Sequence, residues 1–237
     1  MPGPLSPPAA SHVIVLPVKP PARGKSRLVG LPDQTRVGLA RAFALDTAEA
    51  CLATTAVAQV LVVTDDAFFA SDVAALGCAV IPDGVSGDLN GTLVQAAAEA
   101  RRRWPALRPA ALCGDLPALR PLDLAAALGS PAAGAADAYD AATTESDLPG
   151  QTRGRAAFVV DAVGSGTTLY TASYAAFAPR FGPDSARLHR ADGATPITGE
   201  LSSLRHDVDT LDDLRAVLSL GLGPRTRLAA LQAGILS

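Results

Sequence analysis

Three aspartates that follow apolar stretches are the residues of this chain best suited to chemistry. Ala110-Ala111-Leu112-Cys113 leads into Gly114-Asp115-Leu116-Pro117, and Leu204-Arg205-His206 leads into Asp207-Val208-Asp209. In an extended strand, residues two apart share a face, so Asp207 and Asp209 would present both carboxylates to one side of a sheet. With Asp115 beside them they would form a hard-oxygen site suited to Mg²⁺. That cation is held by a few carboxylates and completes its shell with water and substrate phosphates. The pattern therefore points to phosphate chemistry. Plainer roles exist for each residue: Asp115 as a turn residue after a strand, Asp207 or Asp209 as a cap for the helix expected next.

Other segments carry groups that suit anions. The only two lysines of the chain, Lys19 and Lys25, fall in one loop together with Arg27. Such a loop can embrace a triphosphate or can be an ordinary solvated surface loop. Gly24-Lys25-Ser26 is not a P-loop, because that motif needs a glycine where Lys19 stands, and Pro20-Pro21 follow. Asn90, in Gly87-Asp88-Leu89-Asn90-Gly91, suits a base or ribose contact, or equally a helix N-cap. A second glycine-rich region holds Asp161, Gly164-Ser165-Gly166-Thr167-Thr168 and Arg180-Phe181-Gly182-Pro183-Asp184-Ser185. Glycine lets backbone approach an anion closely, Thr167 adds a hydroxyl, and Ser185 falls in the first turn of an expected helix. His189 and His206 read as structural or surface residues, and His12 belongs to the first strand, so no zinc set is formed.

These groups need a scaffold. The apolar run Val13–Val18 reads as a buried strand, followed by a loop to Pro32 and a helix over Gln34–Cys51 with Val37, Ala40, Ala44, Thr47 and Cys51 on its buried face. Val60–Val63 and Cys78–Ile81 read as strands, separated by a helix over Ala67–Leu76. A helix over Thr92–Arg103 precedes strand Ala110–Cys113. Strand and helix alternate, which implies parallel strands with right-handed crossovers. The fold class is α/β, a three-layer α/β/α sandwich around a mostly parallel central sheet. Ligands of such sheets bind beyond the carboxyl ends of the strands, where every cluster above lies.

The second half is less regular. Residues 130–155 form an irregular excursion with a strand near Ala138. Ala157–Val160 and Thr168–Tyr174 read as strands, and Pro183–Arg190 as a short helix. Thr210-Leu211-Asp212-Asp213 resembles a capping box with Asp in place of Glu. Leu214, Val217 and Leu218 face the core, Gly221 and Gly223 stop that helix, and a last one runs from Arg225 to Ala233.

At 237 residues, 49% of them hydrophobic, the chain can bury a sizeable core in one domain over residues 12–237, with residues 1–11 as a disordered tail. A net charge of −3 argues against a general nucleic-acid-binding surface. The start has no basic region or apolar core of a signal peptide, and nothing approaches a membrane span. Cys51, Cys78 and Cys113 lie far apart without a CxxC pair and read as free thiols of a reducing cytoplasm.

Taken in order, Val18-Lys19, Lys25-Ser26-Arg27-Leu28, Gly114-Asp115-Leu116-Pro117-Ala118-Leu119, Gly164-Ser165-Gly166-Thr167, Arg180-Phe181-Gly182-Pro183-Asp184-Ser185 and Asp207-Val208-Asp209-Thr210 resemble the phosphoenolpyruvate/2-phospho-L-lactate guanylyltransferases of coenzyme F420 biosynthesis. That family is related to the molybdenum-cofactor guanylyltransferase and shares the nucleotide-diphospho-sugar transferase fold. The similarity runs from about Val13 to Arg227. Any one motif is weak, while the ordered set is specific.

The resemblance implies transfer of GMP from GTP to phosphoenolpyruvate, releasing pyrophosphate and giving enolpyruvoyl-2-diphospho-5′-guanosine. It implies that Thr167, Gly182 and Ser185 bind the acceptor, that Asp115, Asp207 and Asp209 hold Mg²⁺, and that Lys19, Lys25, Arg27 and Asn90 contact GTP. A downstream F420-pathway transferase would take the product, and the chain would be a monomer or homodimer. Ala162 stands beside Asp161 where a basic or polar residue is expected. The alternatives are 2-phospho-L-lactate or 3-phosphoglycerate as acceptor, a nucleotidyltransferase of molybdenum-cofactor or sugar-nucleotide metabolism, and a nucleotide sensor without catalysis. The second alternative is disfavoured by Lys19-Pro20-Pro21 where a Gly-rich loop would stand.

Overall fold

A computed structural model describes residues 10–19, 28, 30–85, 87–134 and 156–236. Residues 1–9 of the expected tail, Lys25 and Arg27, and most of the 130–155 excursion with its strand near Ala138 lie outside the described residues. The strands are β1 (His12–Pro17), β2 (Val57–Val63), β3 (Ala79–Ile81), β4 (Arg108–Leu112), β5 (Ala157–Val160), β6 (Thr167–Thr171) and β7 (Thr195–Pro196). They form a seven-stranded sheet in the order β3-β2-β1-β4-β6-β5-β7. β1 to β4 are parallel to one another, as is β7 to β5, whereas β6 runs antiparallel to both β4 and β5.

The described helices are α1 (Asp33–Leu52), α2 (Ala67–Ala75), α3 (Leu89–Arg103), α4 (Pro121–Leu128), α5 (Pro131–Gly134), α6 (Ser185–Ala191), α7 (Ser202–Arg205), α8 (Leu211–Ala216) and α9 (Pro224–Gln232). Side chains alternate across a strand, so β1 feeds two separate cores. Ile14 and Leu16 join one buried cluster with Ala44, Val60, Val62 and Leu124, while Val13 and Val15 join another with Leu61, Leu93, Ala96 and Ala100. The unbroken apolar run of β1 is thus that of a strand covered on both faces, which gives the three layers expected from the sequence.

A third cluster lies beyond the sheet: Leu39, Phe43, Ala118, Val208, Leu214, Val217 and Ala230. It accounts for a difference in α1. Ala44, Thr47 and Cys51 are buried as expected, but Val37 and Ala40 are only half-buried, and Leu39, Phe43 and Asp46 are buried as well. A second packing surface, against α9, widens the buried face. Asp46 accepts hydrogen bonds there from the backbone N–H of Thr226 (2.7 Å) and Arg225 (3.2 Å). These are orphan donors of the α9 N-terminus.

Several boundaries shift for local reasons. α3 begins at Leu89 rather than Thr92, because the Asp88 carboxylate accepts from Gly91 N–H and caps it. β6 stops at Thr171, and Tyr174 opens a 3₁₀ turn. α6 begins at Ser185 rather than Pro183, after Asp184 with φ +57°. Leu204–His206 is not a strand: Ser202–Arg205 is one helical turn, with Leu201 and Leu204 buried at helical spacing. Asp123 of α4 holds that turn by accepting from Ser203 N–H (3.0 Å) and the Ser203 hydroxyl (2.7 Å). All three cysteines are free thiols, and burial pushes the Cys51 thiol up and the Cys78 thiol up to about 11. Among the described residues, no helix is long and apolar enough to cross a membrane.

Removing the Asp46 carboxylate leaves two backbone donors of the α9 N-terminus without their partner, while the Arg225 guanidinium keeps Glu49 (2.5 Å). Asp46→Ala is expected to cost about 3 kcal/mol of stability, read as a lower urea midpoint.

Candidate functional site

β4 delivers Cys113-Gly114-Asp115 to the carboxyl edge of the sheet. The turn passes close over the end of β1: a Cβ on Gly114 would lie 3.2 Å from Val18 Cγ2 and 3.3 Å from the Pro17 carbonyl oxygen. A side chain here would be tight for space, while the dihedral itself sets no demand for glycine. The next residue is tied to α1, where the Thr47 hydroxyl accepts from Leu116 N–H (3.1 Å) and donates to the Phe43 carbonyl (2.8 Å). Gly223 N–H donates to the Pro117 carbonyl (2.7 Å). Asp115 therefore sits, half-buried, on a turn held from both sides. Lys19 follows β1 at the same edge and is exposed.

The second acidic segment reaches this turn through its backbone. Arg205 donates from Nη1 to the Val160 carbonyl (2.8 Å) and from Nη2 to the Ile197 carbonyl (3.1 Å). Its own carbonyl accepts from Ala162 N–H (2.8 Å), so an arginine backs the position where Ala162 replaces the expected polar residue. Three residues on, Val208 N–H donates to the Asp115 carbonyl (3.0 Å). The Val208 side chain is fully buried, whereas Asp207 and Asp209 on either side are half-buried. Neither carboxylate caps α8. That role belongs to Thr210 and Asp213, which form the capping box read from the sequence: Thr210 N–H donates to Asp213 Oδ2 (2.7 Å), and Asp213 N–H to Thr210 Oγ1 (3.2 Å). The three aspartates thus share one sheet edge. Among the described residues, no three His, Cys, Asp or Glu side chains group as a ready-made metal cage.

The third contribution comes from β6. Because it runs antiparallel, its first residue, Thr167, lies beside the end of β4, where Cys113 N–H donates to the Thr168 carbonyl (2.9 Å). The Asp161 carboxylate shapes the loop before it by accepting from Gly164 N–H (2.7 Å) and Gly166 N–H (2.9 Å). α6 packs on this loop through Ala186 N–H to the Ser165 carbonyl (3.0 Å), and Ser185 N–H donates to the Gly182 carbonyl (3.2 Å). Thr167, Gly182 and Ser185 are therefore brought together, from strand start, turn and helix start. Gly182 has φ +126°, which strains any residue with a side chain.

This chain is 46% identical over 222 residues to the phosphoenolpyruvate guanylyltransferase of Thermomonospora curvata, covering 93% of this chain and 88% of that one. It is 46% identical over 220 residues to the Streptomyces coelicolor protein of the same name, covering 92% and 94%. The chain belongs to the phosphoenolpyruvate guanylyltransferase family. It is accordingly a nucleotidyltransferase. No model of a protein family matches it. In solved structures its fold is similar to a Desulfovibrio desulfuricans protein assigned to the nucleotide-diphospho-sugar transferases, with TM-score 0.63 at 17% identity over 92% of this chain and 93% of that one. It is also similar to a 4-diphosphocytidyl-2C-methyl-D-erythritol synthase, with TM-score 0.51 at 15% identity over 89% and 98%. These likenesses concern the fold alone.

Within this guanylyltransferase frame, one expected nucleotide contact has a different environment. Asn90 lies inside the first turn of α3, not in a loop, and is not its N-cap. Its Nδ2 donates to the Phe181 carbonyl (3.0 Å), and its Oδ1 accepts from Phe181 N–H (2.8 Å). Asn90 thereby clamps the turn that carries Gly182 against α3.

His189 is the residue that sequence reasoning undervalued. It lies on α6, four residues and one turn after Ser185, and that spacing is the signal that places both on one helix face. The imidazole is buried among Phe158, Tyr170 and Phe181, contacts Thr167 Oγ1 (3.0 Å), and accepts from Arg180 N–H (2.9 Å). Burial lowers its pKa to about 4; the Asp192 carboxylate opposes this and the Arg180 guanidinium adds to it. Asp123 is shifted in another way. Burial alone would raise its carboxyl, but hydrogen bonds from Ser203 and Arg120 outweigh that and hold it below the usual value.

The shift of His189 has a defined sign. An unfolded histidine takes up a proton near pH 6.5 and the folded one only near pH 4, so stability is complete above about 6.5 and falls as pH drops towards 4. The melting temperature of the wild type is expected to fall more steeply across that window than that of His189→Phe, measured by thermal denaturation in matched buffers. The clasp at Asp123 yields a separate expectation. Asp123→Ala should cost about 2 kcal/mol in chemical denaturation, through loss of the Ser203 bonds that hold α7.

Proposed function

We propose that this protein transfers GMP from GTP to phosphoenolpyruvate, releasing pyrophosphate and forming enolpyruvoyl-2-diphospho-5′-guanosine for coenzyme F420 biosynthesis. The observation that carries this reading is the Val208 N–H bond to the Asp115 carbonyl at 3.0 Å, which brings the acidic residues to the edge where Thr167 also lies. An acidic centre with Lys19 at the same edge, beside a loop and helix start that carry Thr167, Gly182 and Ser185, suits two phosphate substrates.

The reaction asks for little proton chemistry. The phosphate of the acceptor is already ionised near neutral pH, so its oxygen attacks the α-phosphorus of GTP without a strong general base. The bond from the α-phosphorus to the α–β bridging oxygen breaks, and pyrophosphate carries away the electron pair. The task of the protein is to hold two polyanions in line and to exclude non-productive arrangements. Lys19, together with Lys25 and Arg27, would neutralise the triphosphate. Thr167, Gly182 and Ser185 would hold the acceptor.

The donor set fits Mg²⁺. Asp115, Asp207 and Asp209 supply hard oxygens without a closed three-acid cage, and Mg²⁺ is bound by one or two carboxylates plus substrate phosphates. A bound Mg²⁺ would supply charge neutralisation at the phosphates. Asp115 is the residue expected to matter most, because its turn is fixed by Thr47 and Gly223.

Pyrophosphate release from GTP in the presence of Mg²⁺, assayed separately with phosphoenolpyruvate, 2-phospho-L-lactate and 3-phosphoglycerate, tests the proposal. Release with phosphoenolpyruvate and a product mass matching the diphospho-guanosine adduct is expected. Release with none of the three acids would overturn it. Asp115→Asn is expected to lower kcat by about a hundredfold or more with an unchanged melting temperature. Retained turnover in that variant would refute the metal assignment.

A further inference from the structure

We propose that His189 is a positioning residue of the acceptor site: its fixed tautomer makes the Thr167 hydroxyl an obligate donor, and the same ring holds the turn that carries Gly182. This rests on the reading above, in which Thr167, Gly182 and Ser185 bind the three-carbon acid.

The tautomer is set by one bond. Arg180 N–H donates to His189 Nε2 at 2.9 Å. A backbone amide nitrogen cannot accept, so Nε2 carries no proton. The neutral ring therefore bears its proton on Nδ1, which lies 3.0 Å from Thr167 Oγ1 and donates to it. Thr167 Oγ1, having accepted this bond, keeps its own proton for donation. Among the described residues, no acceptor for that proton is found, although Thr167 is buried. A buried hydroxyl with a donor left to place suits an anionic ligand oxygen.

The surroundings hold the ring in this state. Tyr170 stacks on it at 4.7 Å, Phe158 lies tilted at 5.2 Å, and Phe181 meets it edge-on at 5.9 Å. A flip of the ring would put carbon where both hydrogen-bonding nitrogens now sit. A second proton on Nε2 would point at Arg180 N–H, and burial already disfavours the cation.

The same ring reaches the other half of the acceptor site. Arg180 is anchored by His189, and Phe181 is clamped through both backbone groups by Asn90. Two consecutive peptide units are thus fixed immediately before Gly182. One imidazole couples the start of β6 to this turn, so the hydroxyl and the backbone that would grip the acid are set before it arrives. That is preorganisation, and its expected benefit is affinity for the acceptor rather than for GTP.

Steady-state kinetics with each substrate varied in turn separates this role from a purely structural one. His189→Phe keeps an aromatic ring in the box and removes both hydrogen bonds. It is expected to raise KM for phosphoenolpyruvate by about ten- to thirtyfold, with KM for GTP within about twofold. His189→Asn, whose amide N–H can replace Nδ1–H, is expected to recover part of that loss. Thr167→Val combined with His189→Phe should raise KM by less than the product of the two single effects, since the variants share the Thr167–His189 bond. If the Phe variant does not fold, Thr167→Val alone carries the same expectation for KM. An unchanged KM for the acid in a folded His189→Phe protein, or an equal rise for both substrates, overturns the inference. Long-range ¹H–¹⁵N spectra of the wild type supply a check independent of turnover: the Nδ1–H tautomer is expected at neutral pH, and an Nε2–H tautomer refutes the proposal. Failure of the functional reading would show differently, as a wild type that releases no pyrophosphate with any acid, and the tautomer would still be decided.

Discussion

The reversed direction of β6 is the constraint on which the candidate site depends. In a parallel sheet only the ends of strands reach the carboxyl edge, so the residues that begin a strand lie at the opposite side. Pairing β6 antiparallel between β4 and β5 brings a strand's beginning to that edge instead. Thr167 then stands beside Cys113 and Asp115, joined through the bond from Cys113 N–H to the Thr168 carbonyl. The 161–166 loop and α6 owe their places to the same reversal, because both must turn at this edge to feed β6 and to pack on its start.

Backbone groups, more than side chains, set the spacing of the charged residues. Asp115 and the Asp207–Asp209 segment meet through one main-chain hydrogen bond and the burial of Val208. Burying a valine contributes about 2 kcal/mol and excludes water from the neighbouring backbone bond. The carboxylates need not pair with one another for their segments to meet. That matters for like charges, which repel each other and would not assemble through their own interactions.

Buried and half-buried polar side chains perform the long-range stitching. Asp46 ties α1 to the start of α9, Asp123 ties α4 to α7, Asn90 ties α3 to Phe181, and Thr47 ties α1 to the Asp115 turn. Each satisfies backbone donors that would otherwise be orphaned in a segment distant in sequence. His189 belongs to the same group, with the difference that its second bond goes to a hydroxyl at the candidate site. Substitutions at such positions act on stability and on site geometry together, because the bonds that hold the loops also orient them.

Local pattern made much of this molecule legible. The apolar runs of β1, β2 and β4, the helices between them, the α8 capping box and the ordered motifs around Asp115, Thr167, Ser185 and Asp207 are short-range features, governed by side-chain period, capping and turn chemistry. What stayed hidden required partners far along the chain. Leu204-Arg205-His206 reads as a strand, yet Asp123 stabilises one helical turn there by bonding to Ser203. Asn90 reads as a base or ribose contact or an N-cap, and only the fold shows its amide bonded to both backbone groups of Phe181. His189 reads as a structural or surface residue until the Arg180 N–H bond assigns its proton. By itself the sequence determined the layers of the fold, the family and which residue types carry charge, because these rest on composition and spacing. The tertiary structure alone decided the antiparallel place of β6, the meeting of Val208 with Asp115 and the tautomer of His189, because each is settled by a bond whose two ends only folding brings together.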